Sequence, residues 1–138
     1  MMVPNLLAVV VAAAANMALG ALWYSPLLFA KPWMRLTGQN PNQMGNPAPG
    51  YAIAAVASLV SALVLADLVR SLSAGSVAGS TVSDGLIVGL LVGVGFVATA
   101  MGTDYAFHGR PAGLYLINAA YRVVGLVIMG AILAVWPR

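Results

Sequence analysis

The sequence predicts an all-α fold, an integral membrane bundle of four transmembrane helices with a short interfacial segment after the first. Three observations carry this expectation. Of 138 residues, 62% are hydrophobic and 7% charged, whereas a soluble domain coats its surface with about 25% charged residues. A hydrocarbon core of roughly 30 Å takes about 20 helical residues per crossing, and apolar stretches of that size recur over about residues 4–24, 51–69, 84–107 and 114–136. The segments between them are too short for a soluble unit, so residues 1–138 are expected to form a single transmembrane domain.

Charge and cysteine content narrow the function classes. Six basic and three acidic residues give a formal net charge of +3, and no basic run could follow a phosphate backbone, so nucleic acid is not an expected partner. The absence of cysteine excludes disulfides, thiolate metal sites and cysteine nucleophiles. No Gly-rich phosphate loop, paired-carboxylate motif or Ser–His–Asp arrangement is recognisable. No enzyme activity is expected, and no cofactor or metal is assigned.

The first helix stays uncharged from Met1 to Ala30 with no Lys or Arg ahead of it, which favours a retained membrane helix over a cleaved signal. Pro4 is tolerated in a first turn, where its missing N–H has no partner. Val9, Ala12, Asn16 and Gly20 follow helical spacing, a small-residue strip with one amide suited to bonding a neighbouring helix. Trp23 and Tyr24 mark an interface, and Ser25-Pro26 ends the helix.

Residues 27–36 (LLFAKPWMRL) are too short to span and carry Lys31, Trp33 and Arg35 among apolar residues, the composition of a segment lying at the lipid headgroups. Pro32 leaves a short helical turn and a re-entrant corner both open. Residues 37–50 read as loop.

The second helix carries Ser58 and Ser61, able to bond across helices, and ends near Asp67 and Arg70, whose i, i+3 spacing predicts a local ion pair. Residues 71–83 read as a small-residue loop. The third helix is predicted to begin near Asp84, where a carboxylate suits the positive end of the helix dipole. Gly85, Gly89 and Gly93 then place three glycines on one face for close helix packing, without saying whether the neighbour belongs to the same chain. Gly95 and Gly102 lie off that stripe. On the fourth helix Tyr115, Asn118, Arg122, Gly125 and Met129 share a face that should look inward, with Trp136 and Arg138 as the closing anchor.

Four crossings put both termini on one side. Lys31, Arg35 and Arg110 at one end outnumber Arg70 and Arg138 at the other, which places the termini outside the cytoplasm.

Asp104 and Arg122 stand out as opposite charges in apolar surroundings, separated by the turn His108-Gly109-Arg110-Pro111. A buried Arg costs about 2.5–3.5 kcal/mol on insertion scales, so Arg122 should pair with Asp104 or snorkel toward the headgroups. A pair would act as a structural clamp, with an ion or proton relay, or a ligand pocket shared with Tyr105, Asn118 and Tyr121, as alternatives. His108, the single histidine, reads as a solvated or hydrogen-bonded interface residue.

Residues 19–38 (LGALWYSPLLFAKPWMRLTG) and 95–136 (GFVATAMGTDYAFHGRPAGLYLINAAYRVVGLVIMGAILAVW) resemble a bacterial membrane family known as domain of unknown function 1761. The Trp23-Tyr24-Ser25-Pro26 corner with Lys31 and Trp33, and the Gly109-Arg110 turn followed by Tyr115-Leu116-Ile117-Asn118, carry the resemblance. It implies a small four-helix membrane protein, no established activity and no catalytic residues to carry over. The expected role is a non-enzymatic structural or accessory subunit in the lipid bilayer, associating with itself as a homo-oligomer or with a larger membrane complex. A small transporter or channel using Asp104, Arg122, Asn118 and Asn16 is the alternative, and a quinone or pigment binder a second.

Overall fold

A computed structural model describes residues 5–40, 43, 45–75 and 79–136. Pro4 and Arg138, expected in the first turn and the closing anchor, lie outside the described residues. Six α-helices follow in order: α1 (Leu6–Trp23), α2 (Ala30–Thr37), α3 (Ala48–Leu72), α4 (Val82–Val92), α5 (Thr99–His108) and α6 (Ala112–Val135). A π-helical turn, Gly93–Ala98, joins α4 to α5, so that residues Val82–His108 run as one helix. This helix, α1, α3 and α6 are long and apolar enough to cross a membrane, the architecture of a multi-pass membrane protein.

Local chemistry sets the helix ends. Asn5 caps α1, its Oδ1 accepting from the Leu7 and Ala8 amides at 3.0 and 3.2 Å, two donors that would otherwise lack partners. At the following corner the Ser25 hydroxyl donates to the Leu22 carbonyl at 2.6 Å. The interfacial segment becomes a helix, α2, because Pro32 falls in its first turn, where no amide is needed. The third spanning segment starts earlier than expected, at Val82, because Thr81 rather than Asp84 is its N-cap. Thr81 and Asp84 form a reciprocal capping box, and the Ser73 hydroxyl ties the Asp84 carboxylate to the end of α3 at 3.2 Å.

Two expectations about α3 are corrected. The helix is longer than residues 51–69 at both ends, beginning at Ala48 with a proline in its first turn. Asp67 does not pair with Arg70, which engages other groups.

The central helix is α6, which touches every other element. Its partner across the bundle is α4, because a methyl group on Gly85 would collide with the Gly130 carbonyl, and one on Gly89 would lie 2.5 Å from the Leu126 carbonyl oxygen and 2.7 Å from Val127 Cα. The glycine stripe is therefore filled from within the chain. Backbones this close replace hydrophobic drive with van der Waals packing, the term available where lipid is as apolar as leucine. Ala12, Ala62, Leu65 and Met129 form the heart of the core. All the buried residues of α3 lie from Ser58 onward, while Ala48–Ile53, Val56 and Ala57 are exposed. The bundle is thus tight near the chain termini and open toward the end that carries α2 and the α5–α6 turn.

Candidate functional site

The polar groups of the spanning helices converge at that open end, and the π turn decides which of them do so. Eleven residues make three turns of an α-helix, so an uninterrupted helix would continue the face of Gly85, Gly89 and Gly93 to Asp104 and aim it at α6. The π turn adds one residue to the repeat and moves that face on by about 100°. Beyond it Tyr105 is the buried residue and Asp104 is exposed. The hydrogen bonds the π turn loosens are made good by side chains: Tyr115 donates to the Ala98 carbonyl at 2.7 Å, and the Thr99 hydroxyl lies 2.9 and 3.1 Å from the Gly95 and Phe96 carbonyls.

The expected Asp104–Arg122 pair consequently does not form. Asp104 turns to His108, whose Nδ1 lies 3.1 Å from its carboxylate and 2.8 Å from its backbone carbonyl, with both side chains more than half exposed. The hairpin is clasped instead by neutral groups. Tyr24 donates to Asn118 Oδ1 at 2.7 Å, and Asn118 Nδ2 donates to the Tyr105 hydroxyl at 2.6 Å. Burial pushes the Tyr24 phenol up to about 12 against the opposing charge of Arg122, which keeps it protonated and donating. One asparagine thus joins α1, α5 and α6.

A second set of contacts locks α1 to α6. Trp23 Nε1 donates to the Ile117 carbonyl at 3.0 Å, and Tyr121 donates to the Asn16 carbonyl at 3.2 Å. Deeper in the bundle, the buried Asn16 side chain donates to Ser58 on α3 at 2.9 Å. The rings of Trp23, Tyr24, Trp33 and Tyr121 meet tilted or edge to face around this junction, at 5.5–6.5 Å between centroids.

The cations are held differently. The Arg110 guanidinium lies 5.1 Å from the centroid of the Tyr105 ring, and that of Arg122 lies 5.4 Å from the centroid of Tyr121. Arg122 is exposed although Asn118, Gly125 and Met129 on the same face are half-buried or buried. Lys31 and Arg35 are exposed on α2, with Trp33 turned in toward Tyr24. Of the residues the sequence singles out, Tyr105, Asn118, Tyr121 and Arg122 come together at this site, and Asp104 does not. Tyr24 and Tyr115 are members that sequence reasoning left out of the cluster, although the interface position of Tyr24 and the spacing of Tyr115 from Asn118 were visible.

Among the described residues no three His, Asp or Glu side chains converge, so the site offers hydrogen bonds and positive charge. Asn118 carries its structural load. Asn118→Ala is expected to destabilise the fold by about 1–3 kcal/mol, the range for stranding buried polar partners, measured by denaturant titration in mixed micelles. Tyr105→Phe, which leaves the Tyr24–Asn118 bond in place, should cost less.

No curated protein and no solved structure matches the chain. The family described as a protein of unknown function (DUF1761) matches residues 7–134, a stretch that covers the four spanning helices but for Leu6 and Val135 and includes every residue of the site. The chain belongs to that family.

Proposed function

We propose that the protein is a non-enzymatic membrane subunit that acts by helix–helix association, with further copies of itself or within a larger membrane complex. Since Gly85, Gly89 and Gly93 are occupied by α6, that stripe no longer supports the reading. A second one does. Gly95, Thr99 and Thr103 repeat every four residues, all three are exposed, and a Cβ on Gly95 would meet no atom within 4 Å. The threonine hydroxyls bond back to carbonyls of their own helix, so the face presents small, polar-satisfied groups, the pattern that lets two membrane helices approach. We place the chain in a bacterial inner membrane with its termini outside the cytoplasm, on the strength of Lys31, Arg35 and Arg110 at the α2 end.

The chain has no native cysteine, so Thr99→Cys can be crosslinked in native membranes without background. A crosslinked dimer or a defined heteromeric band is expected, and Thr99→Trp should abolish co-purification of differently tagged copies or of the partner. If mild extraction yields only monomer and Thr99→Cys finds no neighbour, the association reading fails.

A further inference from the structure

We propose that Arg122 is the centre of a binding site for a phosphate-bearing anion, reached from the open end of the bundle along the inner face of α6. Arg122 follows Ala112, the start of α6, by ten residues, which puts its Cα about 15 Å along the helix axis, well inside a bilayer. Among the described residues no carboxylate lies within 4 Å of it. Asp104, the one acidic side chain at this end of the bundle, is turned away by the π turn. A cation at this depth needs a partner or a path to the headgroups; Arg122 has the Tyr121 ring beside it and, among the described residues, no carboxylate.

The surroundings are built from donors. Asn118 uses its carbonyl on Tyr24 and its amide on Tyr105, which leaves the Tyr105 hydroxyl proton without an acceptor among the described residues. Arg110 lies over the same tyrosine ring, nearer the surface. Helical side chains lean toward the N-terminus of their helix, so the guanidinium of Arg122 leans toward Asn118 and the mouth. Guanidinium and phenol donors without a matching acceptor suit phosphate oxygens, which guanidinium binds through paired N–H groups. The face is open because the buried residues of α3 begin only at Ser58. An anionic lipid headgroup and free inorganic phosphate share this chemistry.

The test uses the full chain in phosphatidylcholine nanodiscs, with and without phosphatidylglycerol, and native mass spectrometry of retained lipid. The wild type is expected to retain phosphatidylglycerol, with at least a tenfold loss in Arg122→Gln. Asn118→Asp keeps the arginine but sets a carboxylate one turn away on the same face, and should displace the lipid equally. This second variant decides the matter if Arg122→Gln does not fold. Lys31→Gln with Arg35→Gln should leave retention unchanged. If instead millimolar phosphate raises the melting temperature in pure phosphatidylcholine and the same two variants abolish that shift, the site stands with a soluble anion as its ligand. Retention and phosphate response equal to wild type in both Arg122→Gln and Asn118→Asp would overturn the proposal, as would a loss confined to the Lys31/Arg35 double variant.

Discussion

Gly89→Leu is expected to give the largest single-residue loss of stability in this protein. A Cβ alone at this position would lie 2.5 Å from the Leu126 carbonyl oxygen and 2.8 Å from its carbon, and both are backbone atoms that cannot rotate aside. The side chain can be housed only if α4 and α6 separate, which also opens the contact between Gly85 and Gly130 one turn away. Overpacking a dense core costs about 1–3 kcal/mol and sometimes more. Two helices displaced along their length place this substitution at or above the upper figure. Gly95→Ala supplies the control: it meets nothing within 4 Å and gains about 1 kcal/mol of helix propensity, so it should be neutral or mildly stabilising. Denaturation in mixed micelles followed by helicity would check both, and equal stability of the two variants would contradict the close α4–α6 packing.

Inserting one alanine after Val94, where the π turn already holds its one extra residue, should rotate everything beyond it by about 100°. Tyr105 would leave Asn118, the Tyr115–Ala98 bond would lose its acceptor geometry, and Asp104 would swing toward α6 and Arg122. Cysteine pairs can read the register directly in a chain that contains no cysteine. Without the insertion, Tyr105→Cys with Asn118→Cys should crosslink readily, and Asp104→Cys with Asn118→Cys should not. The insertion should reverse that preference. The chain should lose about 1–3 kcal/mol as the partners of Tyr105 and Asn118 are stranded, offset in part if Asp104 reaches Arg122. An unchanged crosslinking pattern after the insertion would mean that the segment Gly93–Ala98 does not set the register.

These two expectations mark the boundary between what could be read from residue order and what could not. The spans were legible because a bilayer demands runs of about 20 apolar residues whose backbone bonds close within each helix, and composition reports that directly. The Trp23-Tyr24-Ser25-Pro26 corner was legible for the same reason: each residue type has a local preference that does not depend on its neighbours in space. So was the face of Gly85, Gly89 and Gly93, since α-helical spacing holds up to Gly93.

Beyond Gly93 local rules point the wrong way. Strict α-helical counting puts Asp104 on the inner face, and an arginine on the facing helix makes a pair attractive, but helix Val82–His108 takes up one extra residue at Gly93–Ala98. A one-residue insertion in the repeat leaves hydropathy unchanged, so periodicity does not reveal it. It is stabilised by contacts from elsewhere, above all the Tyr115 hydroxyl on the Ala98 carbonyl, which exist only once α6 has folded back. The expected Asp67–Arg70 pair failed for a related reason: spacing permits an ion pair without requiring one.

What the sequence determined by itself is the number of helices long and apolar enough to span, the short helix α2 between the first two of them and the capacity of Gly85, Gly89 and Gly93 for close approach, because each follows from the water and lipid preferences or the size of individual residues. Only the tertiary structure decided that this glycine stripe is satisfied within the chain by α6, that Tyr105 rather than Asp104 meets Asn118, and that Arg122 faces an open inner surface without a carboxylate. Each of those depends on helical phase and on which backbone comes within a few ångströms of which, and the π turn sets that phase through bonds between segments far apart in the chain.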